Sequence, residues 1–344
     1  MRAVVIQHLG RMDGVAAPLV LRRLPRPRPG PGEVLLRVTL CGVCHTELDE
    51  IEGRSPPSRL PMIPGHQVVG TVIGHGRDVP AGTPALGTRV GVAWIGGACG
   101  ACQYCRQGRE NLCPHFQATG RDRHGGYAEY MTADARFVSP LPSRLSDEAA
   151  APLLCAGAVG LRALHLAGDL TGRRLGFTGF GGSAHLVLAF ARVLYGDIAI
   201  CVFARSPEQR AFALRLGVDW AGDTDEVPPA PLDAIIDTTP AWRPVLAALN
   251  ALAPGGRLVI NAIRKRDDDR HLLSGLDYAR HLWQEKELHT VANVTRADVA
   301  EALALAAAHD LRPQVTRYPL AAAARALCEL RAGRVLGSKV LDCA

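Results

Sequence analysis

The sequence has no long uninterrupted apolar run. Its first residues, MRAVVIQHLG, hold one arginine and a short apolar stretch that predicts a strand, and they lack the apolar segment of a secretory signal peptide. No later run reaches the ~18 consecutive apolar residues that a membrane span needs. We therefore expect a soluble, cytoplasmic protein that does not use a membrane as a partner.

A dense basic tract is missing as well. The 39 Lys and Arg residues are dispersed among 33 Asp and Glu residues, which leaves a net charge of +6. Proteins that bind nucleic acid normally concentrate their cations on one face or in one tract. We expect no nucleic-acid partner, since this small excess is typical of an arginine-rich surface.

The length and composition of the chain predict two domains that differ in secondary structure. The chain has 344 residues, of which 48% are hydrophobic, so it can bury sizeable cores. Residues 1–150 read as short, mostly antiparallel strands between Gly and Pro turns. From about residue 170, strands alternate with helices, which predicts a parallel sheet with helices on both faces. The expected fold class is therefore α/β, with a mostly-β region and a doubly wound parallel sheet.

Four of the ten cysteines lie in one short glycine-rich loop, in the pattern Cys99-x2-Cys102-x2-Cys105-x7-Cys113. Four thiolates at these spacings can surround one ion, and a closed four-sulfur shell is typical of structural zinc. Buried or disulfide-paired cysteines are the alternative, but small residues in such a loop make a poor core. A metal ion would hold the loop in place of a core.

A second glycine-rich segment follows a predicted strand over 175–178 and opens a predicted helix over 183–195. It reads TGFGGSA over 178–184 and matches G-x-G-x-x-[G/A]. The glycines would permit a tight turn and let the backbone approach a pyrophosphate at the helix N-terminus. The candidate cofactor-binding residues of this turn are Gly179, Gly181, Gly182, Ser183 and Ala184.

The acid that would select NAD is absent from the end of the next predicted strand, 198–203. An acidic residue there would accept hydrogen bonds from the ribose hydroxyls, but the chain continues with Ala204, Arg205 and Ser206. The guanidinium of Arg205, with the hydroxyl of Ser206 beside it, could bind a 2′-phosphate. A solvated turn arginine is the alternative. The sequence favours NADP as the cofactor, with NAD possible.

The order of several motifs is more specific than any one of them. The chain carries CGVCHTE at 41–47, G-H-Q-x2-G-x5-G-x2-V at 65–79, the four-cysteine loop, APLLCAG at 151–157, and then the glycine turn. Together, over essentially its whole length, the sequence resembles the zinc-dependent alcohol dehydrogenases of the medium-chain dehydrogenase/reductase family. Spacing alone does not select Cys44, His66 and Cys155, but the resemblance assigns them to a catalytic zinc with one open position.

The resemblance implies a GroES-like catalytic domain made of residues 1–152 and 291–344, and a Rossmann domain over 153–290. It assigns the four-cysteine loop to a structural zinc, which gives two Zn²⁺ per chain. It implies hydride transfer between a nicotinamide cofactor and a small alcohol or aldehyde. It also suggests a homodimer or homotetramer.

Four further roles follow from matching positions of the family. Thr46 matches the hydroxyl that bonds the substrate oxygen and passes its proton on. Glu47 matches the acid that orients the histidine ligand. His45 matches a contact to cofactor phosphate, and Trp94 matches an aromatic wall of the alcohol pocket. A local capping hydroxyl and a core tryptophan are the alternatives for Thr46 and Trp94.

Three positions depart from the family's usual sequence. Gln67 stands where relatives usually have Glu, which removes a negative charge near the metal. Asp49 replaces a histidine that ends the proton relay in many relatives, and we expect no catalytic role for it. Ser338 replaces an arginine that often contacts the pyrophosphate. Lys339 is a candidate substitute, although its side chain should point the other way on a strand.

Other functions on the same fold remain alternatives. They are reduction of an imine, a ketone or a polyol partner, a quinone reductase, and a non-catalytic NAD(P)-binding sensor. A quinone reductase would need no zinc, so two complete ligand sets disfavour it. The sensor is disfavoured by the retained ligands and Thr46, and the polyol enzyme mildly by the four-cysteine loop.

Overall fold

The computed structural model describes residues 1–12, 18–333 and 337–344. The chain forms two compact units, Met1–Ala158 with Asn293–Ala344, and Val159–Ala292. The second unit is thus inserted into the first. The predicted first boundary, after residue 152, lies before the observed one, because the segment Leu153–Gly157 packs against helix Arg296–Ala308 of the first unit. Cys155 therefore belongs to the first unit.

The first unit is mostly β. In chain order, its strands are β1 (Arg2–Ile6), β2 (Leu19–Arg23), β3 (Glu33–Val43), β4 (Val68–His75), β5 (Arg89–Val92), β6 (Ile95–Gly97), β7 (Gln117–Ala118), β8 (Tyr130–Asp134), β9 (Val138–Pro140), β16 (Val315–Pro319) and β17 (Ser338–Asp342). Its helices are α1 (His45–Ile51), α2 (Gln103–Arg106), α3 (Asp147–Pro152), α9 (Arg296–Ala308) and α10 (Ala323–Arg331). A π-helical turn, Leu153–Gly157, joins α3 to α4 (Ala158–Ala167).

The main sheet of this unit has the order β16-β17-β3-β4-β5-β9, with β8 also paired to β3. All of its pairs are antiparallel except β16 with β17. The long strand β3 lies at the centre and buries Val34, Leu36 and Val38 in the core. Its carboxyl end leads directly into Cys44 and α1, so this buried strand positions the first candidate metal ligand.

The second unit is a parallel sheet with helices. Its strands are β10 (Arg174–Thr178), β11 (Ala199–Phe203), β12 (Trp220–Gly222), β13 (Leu232–Asp237), β14 (Leu252–Ile260) and β15 (Glu287–Thr290). Its helices after α4 are α5 (Ala184–Tyr195), α6 (Pro207–Arg215), α7 (Arg243–Ala251) and α8 (Tyr278–His281).

The strand order of this sheet is β12-β11-β10-β13-β14-β15, and every pairing is parallel. The order changes direction between β10 and β13. In an open α/β sheet, ligands bind outside the carboxyl ends of the strands at such a point. The predicted fold class, a GroES-like mostly-β domain with a doubly wound Rossmann sheet, is confirmed.

Within the described residues, one helical stretch, Asp147–Ala167, is long and apolar enough to cross a membrane by length and composition. Of its most apolar window, 61% is buried inside the protein. A core helix of a globular protein passes the same test, so the stretch is weak evidence for a membrane span.

Candidate active site

Three elements bring Cys44, His66 and Cys155 together. Cys44 is the N-cap of α1, His66 follows the tight turn at Gly65, and Cys155 lies in the π-helical turn. Their ligand atoms all lie within 4.8 Å of one another. The sequence separates these residues widely, but the structure joins them as the resemblance implies.

His66 is held by Glu47. Its Nδ1 lies 2.6 Å from Oε1 of Glu47, and both side chains are completely buried. The other carboxylate oxygen, Oε2, accepts a hydrogen bond of 2.7 Å from the backbone N–H of Cys44. Glu47 thus fixes the imidazole and the start of α1 together. Nε2 of His66 is buried and makes no hydrogen bond within the described residues, so it is left for a further partner.

The electrostatics of this cluster favour a thiolate. A hydrogen bond from Cys155 lowers the pKa of Cys44 well below its usual value, and the same bond raises the pKa of Cys155. Burial alone would lower the pKa of His66, but the negative charge of Glu47 raises it well above its usual value. Cys44 and Cys155 share a proton, and Nε2 of His66 has no hydrogen-bond partner among the described residues. These three side chains match the donor set of a catalytic zinc, which takes three protein ligands and keeps one position open.

The predicted catalytic hydroxyl and pocket residue lie beside this cluster. Oγ1 of Thr46 is 3.6 Å from Sγ of Cys44, and Thr46 is buried. The ring of Trp94 meets the His66 ring edge-on at 6.4 Å and lies 5.3 Å from the Phe116 ring. His45, the first residue of α1, is exposed and so remains accessible to a ligand.

Sequence reasoning missed Glu50, a second buried carboxyl in this region. Glu47 and Glu50 are three residues apart on α1, so both lie on one face of the helix. Oε1 of Glu50 accepts a hydrogen bond of 3.4 Å from Nε1 of Trp94, whereas Oε2 has no partner within the described residues. Burial, and then the charge of Glu47, raise the pKa of Glu50 well above its usual value. The sequence signal that could have found Glu50 is its position three residues after Glu47 on α1.

The three departures from the family pattern have local explanations. Gln67 is buried, and its side chain fills the space beside Gly42, where a Cβ would meet the Gln67 Cδ at 2.7 Å. Asp49 accepts a hydrogen bond of 2.5 Å from Nε of Arg54, which gives it a structural partner.

Lys339 does not take over a phosphate contact. It is buried, and its Nζ donates to the hydroxyl of Tyr318 at 2.8 Å and forms an ion pair with Glu329. The proposed substitution for the family arginine at position 338 is therefore wrong. The cause is the strand alternation that points Lys339 into the first unit's interior.

The four-cysteine loop has the geometry of a metal site. All four sulfurs lie within 4.8 Å of one another. Sγ of Cys105 lies 3.9 Å from that of Cys99 and 3.5 Å from that of Cys102. These separations bracket the edge of about 3.8 Å that a tetrahedron with Zn–S bonds of about 2.3 Å requires. They exclude disulfides, in which sulfurs lie about 2.05 Å apart.

Backbone groups of the loop point at its sulfurs. Cys99 accepts from the N–H groups of Ala101 and Cys102, and Cys113 accepts from those of Cys99 and His115, all at 3.3–3.5 Å. The donors of Ala101 and Cys102 lower the pKa of Cys99 to about 6. Desolvation and a shared bond with Cys102 raise the pKa of Cys105 to about 12. The backbone donors thus favour an anionic sulfur at Cys99, which is the form that binds zinc.

The glycine turn lies at the carboxyl edge of the parallel sheet, between β10 and α5. Gly179 has φ +77°, and a Cβ there would meet Cγ2 of Thr239 at 2.9 Å and Oγ1 of Thr238 at 3.0 Å. A Cβ at Gly181 would meet nothing within 4 Å, so that face is open. The backbone therefore requires a glycine at 179, and the space beside Gly181 is open. This open space at the N-terminus of the 12-residue helix α5 fits a pyrophosphate.

The end of β11 presents the residues that would choose the cofactor. Arg205 is exposed, and Oγ of Ser206 caps α6 by accepting from the N–H of Gln209 at 3.3 Å. Arg210 donates to the backbone oxygens of Ala204 at 2.7 Å and Arg205 at 3.2 Å, and so holds this turn from behind. Arg210 thus stabilises the backbone of this turn, while the exposed side chain of Arg205 is accessible to a ligand.

Comparison with known proteins agrees with this geometry. The chain matches the alcohol dehydrogenase GroES-like domain over residues 30–143 and the zinc-binding dehydrogenase domain over residues 212–341. It is 44% identical to the probable alcohol dehydrogenase AdhA of Mycobacterium tuberculosis over 344 residues, which cover 99% of this chain and 97% of that protein.

Solved structures are similar over the same length. A thermostable alcohol dehydrogenase from Pyrobaculum aerophilum, with cobalt and zinc bound, has a TM-score of 0.85 at 26% identity and covers 99% of both chains. A structure described as an NAD-dependent alcohol dehydrogenase has a TM-score of 0.84 at 26% identity, again over 99% of both. The chain belongs to the zinc-type alcohol dehydrogenases of the medium-chain dehydrogenase/reductase family.

Proposed function

We propose that this protein is a zinc-dependent alcohol dehydrogenase that interconverts small alcohols and aldehydes and prefers NADP. The observation that carries the proposal is the Cys44–His66–Cys155 cluster, with its orphaned Nε2 and the Glu47 carboxylate behind the imidazole. When bound there, zinc would act as a Lewis acid on the oxygen of the substrate, and a nicotinamide would accept or supply the hydride.

The chain's own residues have separable tasks in this function. Glu47 binds Nδ1 of His66 and so orients the imidazole, which leaves Nε2 as the ligand atom. Thr46 is a buried hydroxyl next to Cys44 and can hold the proton of an alcohol or return it to the product. The indole of Trp94 would form an apolar wall that limits the substrate's shape.

The other half of the proposal concerns the cofactor. The open turn at Gly181 and the N-terminus of α5 would bind the pyrophosphate through backbone N–H groups. Arg205 would pair with a 2′-phosphate, since its guanidinium is exposed and the strand end lacks an acid. His45 supports the proposal as a second exposed group that could meet a phosphate.

The test is oxidation of NADPH and of NADH by the zinc-loaded protein with a panel of aliphatic and aromatic aldehydes. We expect turnover in the wild type and its loss in Cys44→Ser. Cys201→Ser, which changes a core cysteine of β11, is the matched control and should remain active. Retained cofactor binding without turnover of any aldehyde would redirect the assignment to another acceptor, such as an imine, or to a sensor.

The cofactor preference has its own variant. Ala204→Asp places an acid at the end of β11, where it could bond to ribose hydroxyls and repel a 2′-phosphate. We expect the ratio of kcat/KM for NADPH over NADH to fall by about tenfold or more, since each tenfold corresponds to about 1.4 kcal/mol. An unchanged ratio would contradict the role given to Arg205.

We further propose that the protein is a cytoplasmic homo-oligomer. The support is a set of exposed apolar side chains in β15 and in the segment before it, namely Leu276, Tyr278, Trp283 and Leu288. Exposed apolar surface commonly marks protein interfaces, and among the strands that the structure describes β15 has a sheet neighbour on only one side.

A further inference from the structure

A buried ion pair lies at the point where the parallel sheet changes direction. Asp237 is the last residue of β13 and is completely buried, and its Oδ2 pairs with Nζ of Lys265. The side chain of Lys265 is 7% exposed. Lys265 lies in the segment that follows β14, so the pair joins two different strand ends at the carboxyl edge of the sheet.

Every donor of the ammonium group has an acceptor. Besides Asp237, Nζ of Lys265 donates to the backbone oxygens of Thr239 at 2.7 Å and Ala241 at 3.0 Å. An ammonium has three N–H donors, so its hydrogen-bonding capacity is filled. A buried pair that is satisfied in this way fixes one local arrangement, because any other would leave a charge unpaired.

The carboxylate is equally engaged, and it reaches across the sheet. Its Oδ1 accepts from Oγ1 of Thr178 at 2.5 Å, from Oγ1 of Thr239 at 2.7 Å and from the N–H of Thr239 at 3.2 Å. Thr178 ends β10 and is followed at once by Gly179. One carboxylate therefore ties the glycine turn to the loop after β13.

That loop closes one side of the glycine turn. The hydroxyl of Thr238 donates to the backbone oxygen of Thr178 at 3.0 Å, and Thr238 and Thr239 fill the space that a Cβ on Gly179 would need. The segment after β14 is attached as well, since the N–H of Arg266 donates to the oxygen of Pro240 at 2.7 Å. Hydrogen bonds and the ion pair thus connect the loops after β10, β13 and β14 around Asp237.

From this geometry we infer that Asp237 and Lys265 are positioning residues for the nicotinamide half of the cofactor. The inference rests on the proposed nicotinamide-dependent function. A Rossmann sheet consists of two mononucleotide-binding halves that meet at the switch point. Here β10–β12 form the half that carries Arg205, so β13–β15 and their loops form the half that faces the other nucleotide. The Asp237–Lys265 pair keeps that half in a preformed, binding-competent shape.

The experiment compares two ligands that differ in which half they occupy. Adenosine 2′,5′-bisphosphate would occupy only the β10–β12 half, whereas NADPH would occupy both. Dissociation constants are measured by fluorescence titration of the wild type, Lys265→Met and the double variant Asp237→Asn/Lys265→Met. Lys286→Met is the matched control, because Lys286 also donates to backbone oxygens of the second unit, those of Leu249 and Arg280, but makes none of these contacts.

We expect Lys265→Met to weaken NADPH binding about tenfold or more, as it would if the competent loop shape fell to about a tenth of the population. Binding of adenosine 2′,5′-bisphosphate should change less than about twofold. The double variant should recover part of the NADPH affinity, because it no longer leaves a buried carboxylate unpaired. Lys286→Met should resemble the wild type with both ligands.

Equal weakening of both ligands would overturn the inference, since it would indicate general damage to the domain. Unchanged NADPH affinity in Lys265→Met would overturn it too. A wild-type protein that binds neither NADPH nor NADH would instead overturn the proposed function, and this is visible before any variant is compared.

Discussion

At the scale of single residues, Glu50 is the group whose position is hardest to explain by stability alone. A buried carboxylate without an ion-pair partner is unfavourable, and among the described residues Glu50 accepts a hydrogen bond only from the indole N–H of Trp94. Burial raises its pKa, so the folded protein binds this proton more tightly than the unfolded chain does. We expect this carboxyl to orient Trp94, whose ring also contacts His66 and Phe116.

The raised pKa makes a prediction about stability and pH. The folded state binds the Glu50 proton more tightly than the unfolded state, whose pKa is about 4.3. Stability should therefore be lost as pH rises above that value towards the folded pKa. Glu50→Gln, which cannot ionise, should raise Tm relative to the wild type at pH 8, and the difference should shrink towards pH 5.

Thermal melts of both proteins at pH 5, 6, 7 and 8 check this prediction. Glu148→Gln is the control, since Glu148 is exposed and pairs with Arg317 at the surface. A Tm difference between Glu50→Gln and the wild type that stays constant over this range would show that Glu50 does not titrate as the structure indicates.

A second prediction at this scale concerns Trp94. Glu50→Leu removes the acceptor of the indole N–H, whereas Glu50→Gln keeps an oxygen in its place. We expect Glu50→Leu to alter the order of preference among aldehydes of different chain length, chiefly through KM, and Glu50→Gln to preserve it. In a Trp94→Phe background Glu50→Leu should have no further effect on that order, because the contact it breaks is already absent. Additive effects would argue against the coupling.

At the scale of elements, the alternating strands and helices of the second unit were predictable because hydrophobic periodicity and the glycine turn are local signals. The predicted strand over 175–178 and helix over 183–195 match β10 and α5 closely. The π-helical turn, which packs against α9, was not predictable because local periodicity does not signal a π-helix. The ligand assignment of Cys155 therefore needed the family resemblance.

The same distinction applies to the candidate site. The four-cysteine loop was visible in the sequence because all its ligands are local. The Asp237–Lys265 pair was not visible, because it depends on a contact between distant segments. The sequence shows Glu50 on the helix face of Glu47, but its contact with Trp94 also depends on a distant segment. Lys339 was a candidate substitute for the family arginine, although strand alternation predicted that its side chain would point the other way. The structure confirms that reservation, because Lys339 is buried and bonds to Tyr318.

The four-cysteine loop gives a prediction about metal removal. Around its sulfurs the loop has only a four-residue helix, α2, and a short 3₁₀ turn, Glu110–Leu112, so the ion would replace a hydrophobic core. Cys105→Ser should contain one zinc less per chain than the wild type. The loop of this variant should be cut by trypsin after Arg106 or Arg109, whereas the loop of the zinc-loaded wild type should resist cleavage.

Zinc analysis and limited proteolysis followed by mass spectrometry measure both effects. Cys201→Ser should keep the full zinc content and the resistant loop, because Cys201 lies in the core of the parallel sheet. Full zinc content in Cys105→Ser would remove Cys105 from the structural site.

At the scale of the whole molecule, we expect the β15 edge of the parallel sheet to be covered by a partner. Within residues 1–12, 18–333 and 337–344, β15 pairs only with β14, so its outer backbone groups are open to another strand. Edge strands of soluble proteins usually carry lysine, proline or a bulge that blocks such pairing. The short β15 carries the charged Glu287, but Leu288 beside it is 46% exposed. Near it in sequence, Tyr278 and Trp283 are 63% and 57% exposed, with ring centres 5.7 Å apart.

A second copy of the chain is the occupant that this edge suits, because two β15 strands related by a twofold axis would extend one sheet into the other. Leu288→Lys places a desolvation cost and two like charges at that axis, and we expect it to convert a dimer into 36.6-kDa monomers at micromolar concentration. Val227→Lys is the matched control, since Val227 is 85% exposed and lies outside the edge. Light scattering coupled to size exclusion distinguishes the outcomes, and a dimer that survives Leu288→Lys would place the interface on another surface.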